Sequence, residues 1–353
     1  MNSIMILNVV KIFLPTALTF AIGILLTPRL TGFMYKYKLW KKKKRIEDTE
    51  ITNQHFLKIS DSEAEVSTPR VGGVIIWLAV TLSILIMWGI SKVFPSDISS
   101  KLDFLSRGQT LVPLGALLLG AGIGLIDDIA QIRGAVDRIG NRYTKIGAVA
   151  LIGILIGMWF YFKLGVSAVA IPFVGASLPL GLLFIPFFII VLLAVFSGSV
   201  IDGMDGLAGG VLAIIFAAYA AIAFGKNLVD IAAFSAVISG AILAFLWFNI
   251  PPARFYMGES GILGLLVVLT VIAFLTDTVL ILPLIALPLA ATTASNIIQI
   301  TSYKYFGKRR VFKIAPLHHH FHALGWSREK VVMRYWVVSV MCAVMGVVVA
   351  LIS

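Results

Sequence analysis

Two clusters of aspartates interrupt the apolar runs of this sequence. Asp127 and Asp128 are adjacent and follow a stretch rich in glycine and leucine. Because neighbouring carboxylates repel each other, the pair favours a shared cation or protonation of one member. Asp202 and Asp205 are three residues apart with glycine between and after them, so on one helical turn they would face the same way. A helix end with solvated charges and an ordinary glycine-rich turn are the simpler interpretations.

A third cluster precedes the acid Glu259. Asn249 is followed by Pro251 and Pro252, which end a helix, and Tyr256 stands three residues before Glu259. Glu259 lies at the start of the next apolar run, where the helix dipole favours a negative charge. As a lone helix cap this residue would carry little information.

The fourth cluster is a run of histidines. Four of the five histidines fall within five positions, and they are His318, His319, His320 and His322. His318 and His322 have the spacing of helical metal ligands. Donation to phosphates fits better, because a group of four cations precedes the run: Lys304, Lys308, Arg309 and Arg310. Carboxylates together with these cations predict one shared site that binds phosphates and Mg²⁺.

Composition indicates that a lipid bilayer surrounds these clusters. The chain has 353 residues, of which 59% are hydrophobic and only 13% charged, and its mean hydropathy is +0.99. Soluble domains have about 25% charged residues. The net charge of +12 is divided among the ends of apolar runs, which favours anionic lipid or phosphorylated substrates over nucleic acid. The single cysteine, Cys342, excludes a disulfide framework.

Uncharged gaps long enough to cross the bilayer predict ten helical spans, since a span needs about 20 residues. The gap from 164 to 201 is too long for one helix and predicts a loop or hairpin around Pro172, Gly175 and Pro179, followed by a helix over 181–200. The other gaps are 12–28, 71–91, 108–126, 146–162, 206–225, 231–253, 260–276, 278–303 and 335–353. The chain therefore reads as an all-α integral membrane protein with a single polytopic domain, 1–353.

The basic residues predict the orientation of these spans. One set of loops holds 23 of the 29 Lys and Arg residues and the opposite set holds six. The positive-inside rule places the 23 in the cytoplasm and both termini outside. All four clusters then lie on the cytoplasmic side. The run Lys41–Arg45 is predicted to anchor the chain to anionic lipid.

In order and position, the four clusters resemble the polyprenyl-phosphate N-acetylhexosamine-1-phosphate transferase superfamily over nearly the whole chain. Ala315–Phe321 and Gly325-Trp326 are similar to the branch with a muramoyl-pentapeptide donor. The resemblance implies transfer of phospho-N-acetylmuramoyl-pentapeptide from UDP to undecaprenyl phosphate, with release of UMP and a requirement for Mg²⁺. It also implies a cytoplasm-facing cleft, the bacterial inner membrane and a homodimer.

The resemblance also assigns roles to residues of this chain. Asp127 and Asp128 match the family's paired aspartates, with Asp127 as base or positioning group for the lipid phosphate and Asp128 assisting. Glu259 matches its metal-binding acid. The substrate-binding set is Lys145, Asp202, Asp205, Asn249, Tyr256, His318, His319 and His320. Direct displacement at phosphorus and a covalent aspartyl intermediate are both compatible with these residues.

Several positions depart from the family pattern. Glu259 stands where the family has aspartate, Phe196 and Ser199 where it has asparagines, Gln131 where it has lysine and Val149 where it has glutamine. The segment 67–73 is more similar to sister enzymes that use UDP-N-acetylglucosamine. These differences motivate two alternatives, a sister enzyme and a non-catalytic relative that binds lipid or nucleotide. A transporter is a third, disfavoured because the acids lie at loop ends.

Overall fold

Helices make up most of the fold. The computed structural model of the chain describes residues 3–41, 67–96, 99, 103, 108–134 and 142–353. The longer helices are α1 Ser3–Lys36, α2 Val74–Val93, α3 Gly108–Arg133, α4 Arg142–Met158, α5 Phe184–Phe196, α6 Leu207–Gly225, α7 Val229–Asn249, α8 Glu259–Leu275, α10 Leu287–Tyr305 and α12 Arg328–Ile352. Two short helices are α9 Leu282–Ile285 and α11 Leu317–Ala323. One π-helical turn, Trp159–Lys163, extends α4, and 3₁₀ turns over Gly181–Leu183 and Ser197–Ile201 flank α5.

Eight helical segments in the described part of the chain are long and apolar enough to cross a membrane, and α8 is a shorter apolar helix of 17 residues. Nine of the ten predicted spans thus correspond to apolar helices. Unlike the predicted limits of 12–28, the first helix extends over Ser3–Lys36. The run Lys41–Arg45 lies outside the described residues apart from Lys41.

The one remaining predicted span, 278–303, is not a continuous apolar helix. The chain breaks at Ala286, between α9 and α10, and each of these two helices has a proline in its first turn. Proline is tolerated there because the first N–H groups of a helix have no partner within it. The buried face of α10 is also polar and includes Thr292, Ser295, Gln299 and Ser302. The uncharged gap over 278–303 therefore contains a helix, α10, whose buried face is polar.

The centre of the bundle is α8, whose residues from Ser260 to Phe274 are all buried. Glycines let α3 cross it closely: a Cβ on Gly120 would meet the backbone of Gly264, and one on Gly124 would overlap the carbonyl of Glu259. Because α3 is held against the start of α8, the aspartates at the end of α3 reach Glu259. The glycine-rich run before Asp127 thus positions the acids.

The single sheet in the described residues is a hairpin between α4 and α5, where the sequence predicts a loop or hairpin. Strand β1 (Ala168–Ile171) pairs antiparallel with β2 (Ala176–Pro179), with Ala168 opposite Pro179 and Ile171 opposite Ala176. The hairpin lies at the end of the bundle opposite Glu259, because α4 begins near Glu259 and leads away from it. Lys11 and Asp230 form a buried ion pair between the starts of α1 and α7, also at that far end.

Candidate active site

One lysine joins two of the predicted catalytic carboxylates. Lys145, near the start of α4, donates to Asp127 Oδ2 at 3.0 Å and to Glu259 Oε1 at 3.4 Å. Gln131, one helical turn after Asp127, donates from Nε2 to the same Oδ2 at 2.7 Å. Residues more than a hundred positions apart thus meet at the end of α3, the start of α4 and the start of α8. Gln131 therefore keeps a donor on Asp127 where the family pattern has lysine.

The remaining oxygens of these two acids fit a hard cation. Asp127 Oδ1 and Glu259 Oε2 are buried, and neither has a hydrogen-bond partner among the described residues. Unpaired carboxylate oxygens are the ligands that Mg²⁺ takes. Within the described ranges no three His, Cys, Asp or Glu side chains form a metal cage. Mg²⁺ usually keeps several waters and binds substrate phosphates through one or two protein carboxylates.

Asp128 has a different environment from its neighbour. Its side chain is fully buried, Oδ1 accepts from the backbone N–H of Glu259 at 3.1 Å, and Oδ2 accepts from that of Ser260 at 2.8 Å. These are two of the N–H groups that an α-helix leaves unpaired at its start. The geometry favours a residue that positions α8 and Glu259, and it argues against the predicted catalytic role of Asp128.

Asp202 faces the same site from the turn before α6. Its carboxylate accepts a hydrogen bond from the backbone N–H of Gly258. The negative charges of Glu259 and Asp205 and the positive charge of Arg70 also act on this carboxylate. Burial, reinforced by the two acids, raises the pKa of Asp202 to about 6, although the Arg70 guanidinium opposes the rise. Asp202 therefore changes charge near neutral pH in the substrate-free site.

Sequence reasoning assigned no site role to Arg70, which the structure brings to this cluster. Its Nε is buried without a hydrogen-bond partner in the described part of the chain. Its backbone carbonyl packs where Gly258 has no side chain, and Gly258 has a φ of 68° that favours glycine. The available signal was a single arginine between Pro69 and a glycine pair, at the start of a predicted span.

Asp205 and Asn249 were predicted to bind substrate, but their side chains hold the protein together. Asp205 Oδ2 accepts from the backbone N–H of Ala253 at 3.2 Å. Asn249 Oδ1 accepts from Gly206 N–H at 3.0 Å, and its Nδ2 donates to the Phe255 carbonyl at 2.8 Å. These bonds join the turn of Asp202 to the segment before Glu259.

Tyr256 is partly buried beside the segment 67–73. Its N–H donates to the Pro69 carbonyl at 2.8 Å, and its carbonyl accepts from Gly72 N–H at 2.9 Å. Gly73 N–H donates to the Met257 carbonyl at 2.9 Å. The segment that resembles the sister enzymes is therefore attached directly to the loop that carries Glu259.

The three adjacent histidines differ in environment. His318 is fully buried against Gly203, and neither of its ring nitrogens has a partner among the described residues. Burial and the neighbouring His319 hold the pKa of His318 well below its usual value, so the ring is neutral. The rings of His318 and His319 lie 4.3 Å apart. The histidine run thus packs on the turn that carries Asp202.

His320 points to a different part of the loop. Its Nδ1 accepts from the backbone N–H of Lys313 at 3.1 Å, which leaves Nε2 to carry the hydrogen of the neutral ring. Burial and the charge of Lys313 lower the pKa of His320. His322, the other half of the predicted metal pair, instead places Nδ1 2.7 Å from the Trp326 carbonyl oxygen.

Gln299 is a second residue that the sequence analysis missed. It is buried on α10, where Oε1 accepts from Val311 N–H at 3.1 Å and Phe312 N–H at 3.0 Å, and Nε2 donates to the Phe312 carbonyl at 3.2 Å. Ser302 Oγ donates to the Arg309 carbonyl at 3.0 Å. The polar face of α10 thus holds the basic loop before the histidines.

Comparison with known proteins defines the class of this fold and site. Residues 110–277 match the family model described as Glycosyl transferase family 4. Three relatives named phospho-N-acetylmuramoyl-pentapeptide-transferase extend the similarity. That of Bacillus pumilus (strain SAFR-032) is 32% identical over 93% of this chain and 94% of its own. That of Caldanaerobacter subterraneus subsp. tengcongensis is 34% identical over 93% of this chain and 95% of its own. That of Chloroflexus aggregans is 30% identical over 100% of this chain and 93% of its own.

The chain therefore belongs to the phospho-N-acetylmuramoyl-pentapeptide-transferase family, within glycosyl transferase family 4. It is a multi-pass membrane protein and an enzyme of the phospho-sugar transferase class, in a family that is generally Mg²⁺-dependent. The predicted resemblance, helical membrane architecture and enzymatic class are confirmed. Membership disfavours the alternative of a transporter, whereas a non-catalytic relative would belong to the same family and is tested by activity.

Proposed function

We propose that this protein transfers phospho-N-acetylmuramoyl-pentapeptide from its UDP carrier to undecaprenyl phosphate, forming lipid I and UMP in peptidoglycan biosynthesis. The observation that carries the proposal is the junction of Asp127, Lys145 and Glu259, with Asp202 beside it. Acids with unpaired oxygens and cations within one cluster suit two phosphorylated substrates. The near full-length relatives with this activity in their names support the choice of substrates.

In this reaction an oxygen of the lipid phosphate attacks the β-phosphorus of the donor, the bond to the UMP oxygen breaks, and UMP leaves. Asp127 orients the lipid phosphate or accepts its remaining proton through the unpaired Oδ1. Lys145 holds both carboxylates and neutralises charge on the transferred phosphoryl group. Asp128 positions Glu259 through the start of α8.

Glu259 is the residue that would hold Mg²⁺, through Oε2, the oxygen that Lys145 leaves unpaired. When bound, the ion neutralises negative charge that develops on the diphosphate oxygens. Glutamate is one methylene longer than the aspartate of the family pattern, and Lys145 reaches its Oε1. The longer side chain therefore suits a site in which one lysine contacts both acids.

The donor is bound on the other side of the cluster. Asp202 orients the uridine and amino-sugar part, Tyr256 offers a ring for stacking on uracil, and His318, His319 and His320 hold the diphosphate or sugar phosphate. The Nε2–H of His320 is a donor suited to an anionic oxygen. Asp205 and Asn249 contribute by fixing the turn that carries Asp202.

The site faces the cytoplasm of the bacterial inner membrane, and both termini lie outside. This orientation follows the 23 Lys and Arg residues on the side of the site, against six on the other side. Undecaprenyl phosphate reaches the cleft from the bilayer. The homodimer implied by the resemblance is tested by the mass of the protein in nanodiscs.

The second candidate is transfer of phospho-N-acetylglucosamine to the same lipid. It is favoured by the segment 67–73, which is hydrogen-bonded to the loop before Glu259. UMP release by purified protein with undecaprenyl phosphate and either donor, with Mg²⁺ or EDTA, separates the two. Mg²⁺-dependent release with the muramoyl donor alone supports the proposal, release with the other donor alone supports the sister activity, and silence with both contradicts each of them.

The same protein distinguishes direct transfer from a covalent intermediate. A covalent route requires an aspartate to attack the β-phosphorus and release UMP before the lipid phosphate arrives. Incubation with the donor alone then gives one equivalent of UMP and labelled protein. Direct transfer gives neither, and release requires both substrates.

A further inference from the structure

The hairpin far from the active site exposes apolar side chains at its tip. Phe173 and Val174 are 65% and 64% exposed, and Leu178 on β2 is 46% exposed. The whole stretch from residue 164 to residue 201 contains no charged residue. Loops in water are normally polar, so an uncharged loop with an apolar tip indicates a different surrounding medium.

The base of the hairpin is firmly attached, which fixes where the tip points. Val169 is buried in the cluster of aromatic side chains beneath the hairpin, with Phe160 and Phe274 among them. The Ser167 carbonyl accepts from two N–H groups beyond β2, at 2.9 Å each. Asp277 Oδ1, in the turn after α8, accepts from Ala170 N–H at 3.1 Å. The tip is therefore an ordered projection.

The apolar surface continues from the tip onto a membrane-spanning helix. Leu182 and Leu183 follow β2 and are exposed, as is Ile190 further along α5. Only 28% of the apolar window in this span is buried inside the protein, so most of its surface faces lipid. The preceding helical segment ends at Lys163, a residue type that marks the headgroup level.

We propose that the hairpin tip formed by Phe173, Val174 and Leu178 is inserted in the boundary between headgroups and acyl chains of the bilayer. Apolar side chains on an amphipathic element are stabilised at this depth. A second copy of the chain is a poorer occupant, because a stable protein interface buries about 800 Å² on each partner and the strands have only four residues each. Phospholipid has no such minimum area, so it can cover the small apolar patch at the hairpin tip.

Spin labels test this placement in nanodiscs. In a Cys342→Ala background, which removes the one native cysteine, a nitroxide is attached to Val174→Cys. Ile190→Cys on α5 is the matched lipid control, and Asn227→Cys, exposed in the turn between α6 and α7, is the water control. Collision rates with O₂ and with a water-soluble nickel chelate report the surroundings of each label.

We expect the ratio of O₂ to nickel collisions at Val174 to match that at Ile190 and to exceed that at Asn227 several-fold. A ratio equal to that of Asn227 overturns the proposal. Low collision rates with both reagents, together with spin–spin broadening that is lost on dilution with unlabelled protein, would mean that a second copy covers the tip and also overturns it.

A second measurement uses the unmodified protein. Phospholipid with a diazirine near its headgroup is photolysed in nanodiscs, and the crosslinked peptides are identified by mass spectrometry. Adducts on residues 172–178, with none in the turn at Asn227, support the proposal. The absence of adducts on the hairpin, with adducts elsewhere on the chain, contradicts it whether or not the cysteine variants fold.

Discussion

Asparagine substitutions at Asp127 and Asp128 separate a catalytic role, proposed for Asp127, from a positioning role at the start of α8, proposed for Asp128. In Asp127→Asn the side chain keeps its size but loses the charge that meets Lys145. We expect turnover to fall by about 10²–10⁴-fold, the usual contribution of a positioned acid or base. Stability should fall by no more than about 1 kcal/mol, because Lys145 keeps Glu259 as a partner at 3.4 Å.

Asp128→Asn should show the opposite balance. Asp128 accepts one hydrogen bond on each oxygen, whereas the asparagine amide has a single acceptor and places its NH₂ against a backbone N–H. Losing one buried bond costs about 1–3 kcal/mol. We expect a free energy of unfolding lower by about that amount, 1–3 kcal/mol. Turnover should fall only as far as Glu259 is displaced.

Both quantities can be measured on the same preparation. Steady-state UMP release gives turnover, and thermal unfolding in the same detergent ranks stability. Asp277→Asn is the control, since it also removes a carboxylate charge beside a backbone N–H at the far end of the bundle, while its amide oxygen keeps the one bond that Asp277 accepts. Near-normal turnover in Asp127→Asn refutes the role of Asp127. Unchanged stability with abolished turnover in Asp128→Asn would make Asp128 catalytic and refute the positioning role.

Three further predictions concern the metal, the donor and pH. Glu259→Asp should raise the Mg²⁺ concentration for half-maximal UMP release, since Lys145 contacts the longer side chain; a lower concentration would identify a weakened family site. Gln299→Met should raise KM for the UDP donor several-fold, with kcat and the lipid KM little changed, because the loop before the histidines loses its bonds to α10. Gln299→Glu, which keeps an acceptor oxygen, should restore part of the donor affinity. Ser295→Ala should change neither KM nor kcat, because this hydroxyl bonds only to its own helix. Equal losses of kcat and both KM values would mean a general structural role for Gln299. The pKa of Asp202 rises from 3.8 to about 6 on folding, so in EDTA the folded state keeps this carboxyl protonated up to a higher pH than the unfolded state does. The free energy of unfolding therefore falls as the pH rises from about 4 to about 6. Thermal unfolding across this range should show a shallower fall in Asp202→Asn, and identical slopes would contradict the assigned pKa.

The sequence alone determines the membrane architecture and predicts most members of the candidate site. Long uncharged runs are required to cross hydrocarbon, so nine apolar helices can be read directly from the spacing of charges. Pro172, Gly175 and Pro179 predict a loop or hairpin between α4 and α5, where the structure has a hairpin. Acids and histidines at the ends of such runs are costly without a function, which is why Asp127, Asp202, Glu259 and His318 stand out by their positions along the chain.

The tertiary structure decided which of these side chains meet at the candidate site and which bond to the surrounding backbone. Adjacent residues on a helix point in different directions, so only packing against the start of α8 shows that Asp128 caps this helix while Asp127 meets Lys145. Arg70 gained its role from contacts with distant segments, and Gln299 from contacts with a loop 12 and 13 residues further along the chain, which no local pattern encodes. The break at Ala286 escaped the sequence analysis for a related reason: an uncharged gap does not distinguish residues that face lipid from a polar face buried against a loop.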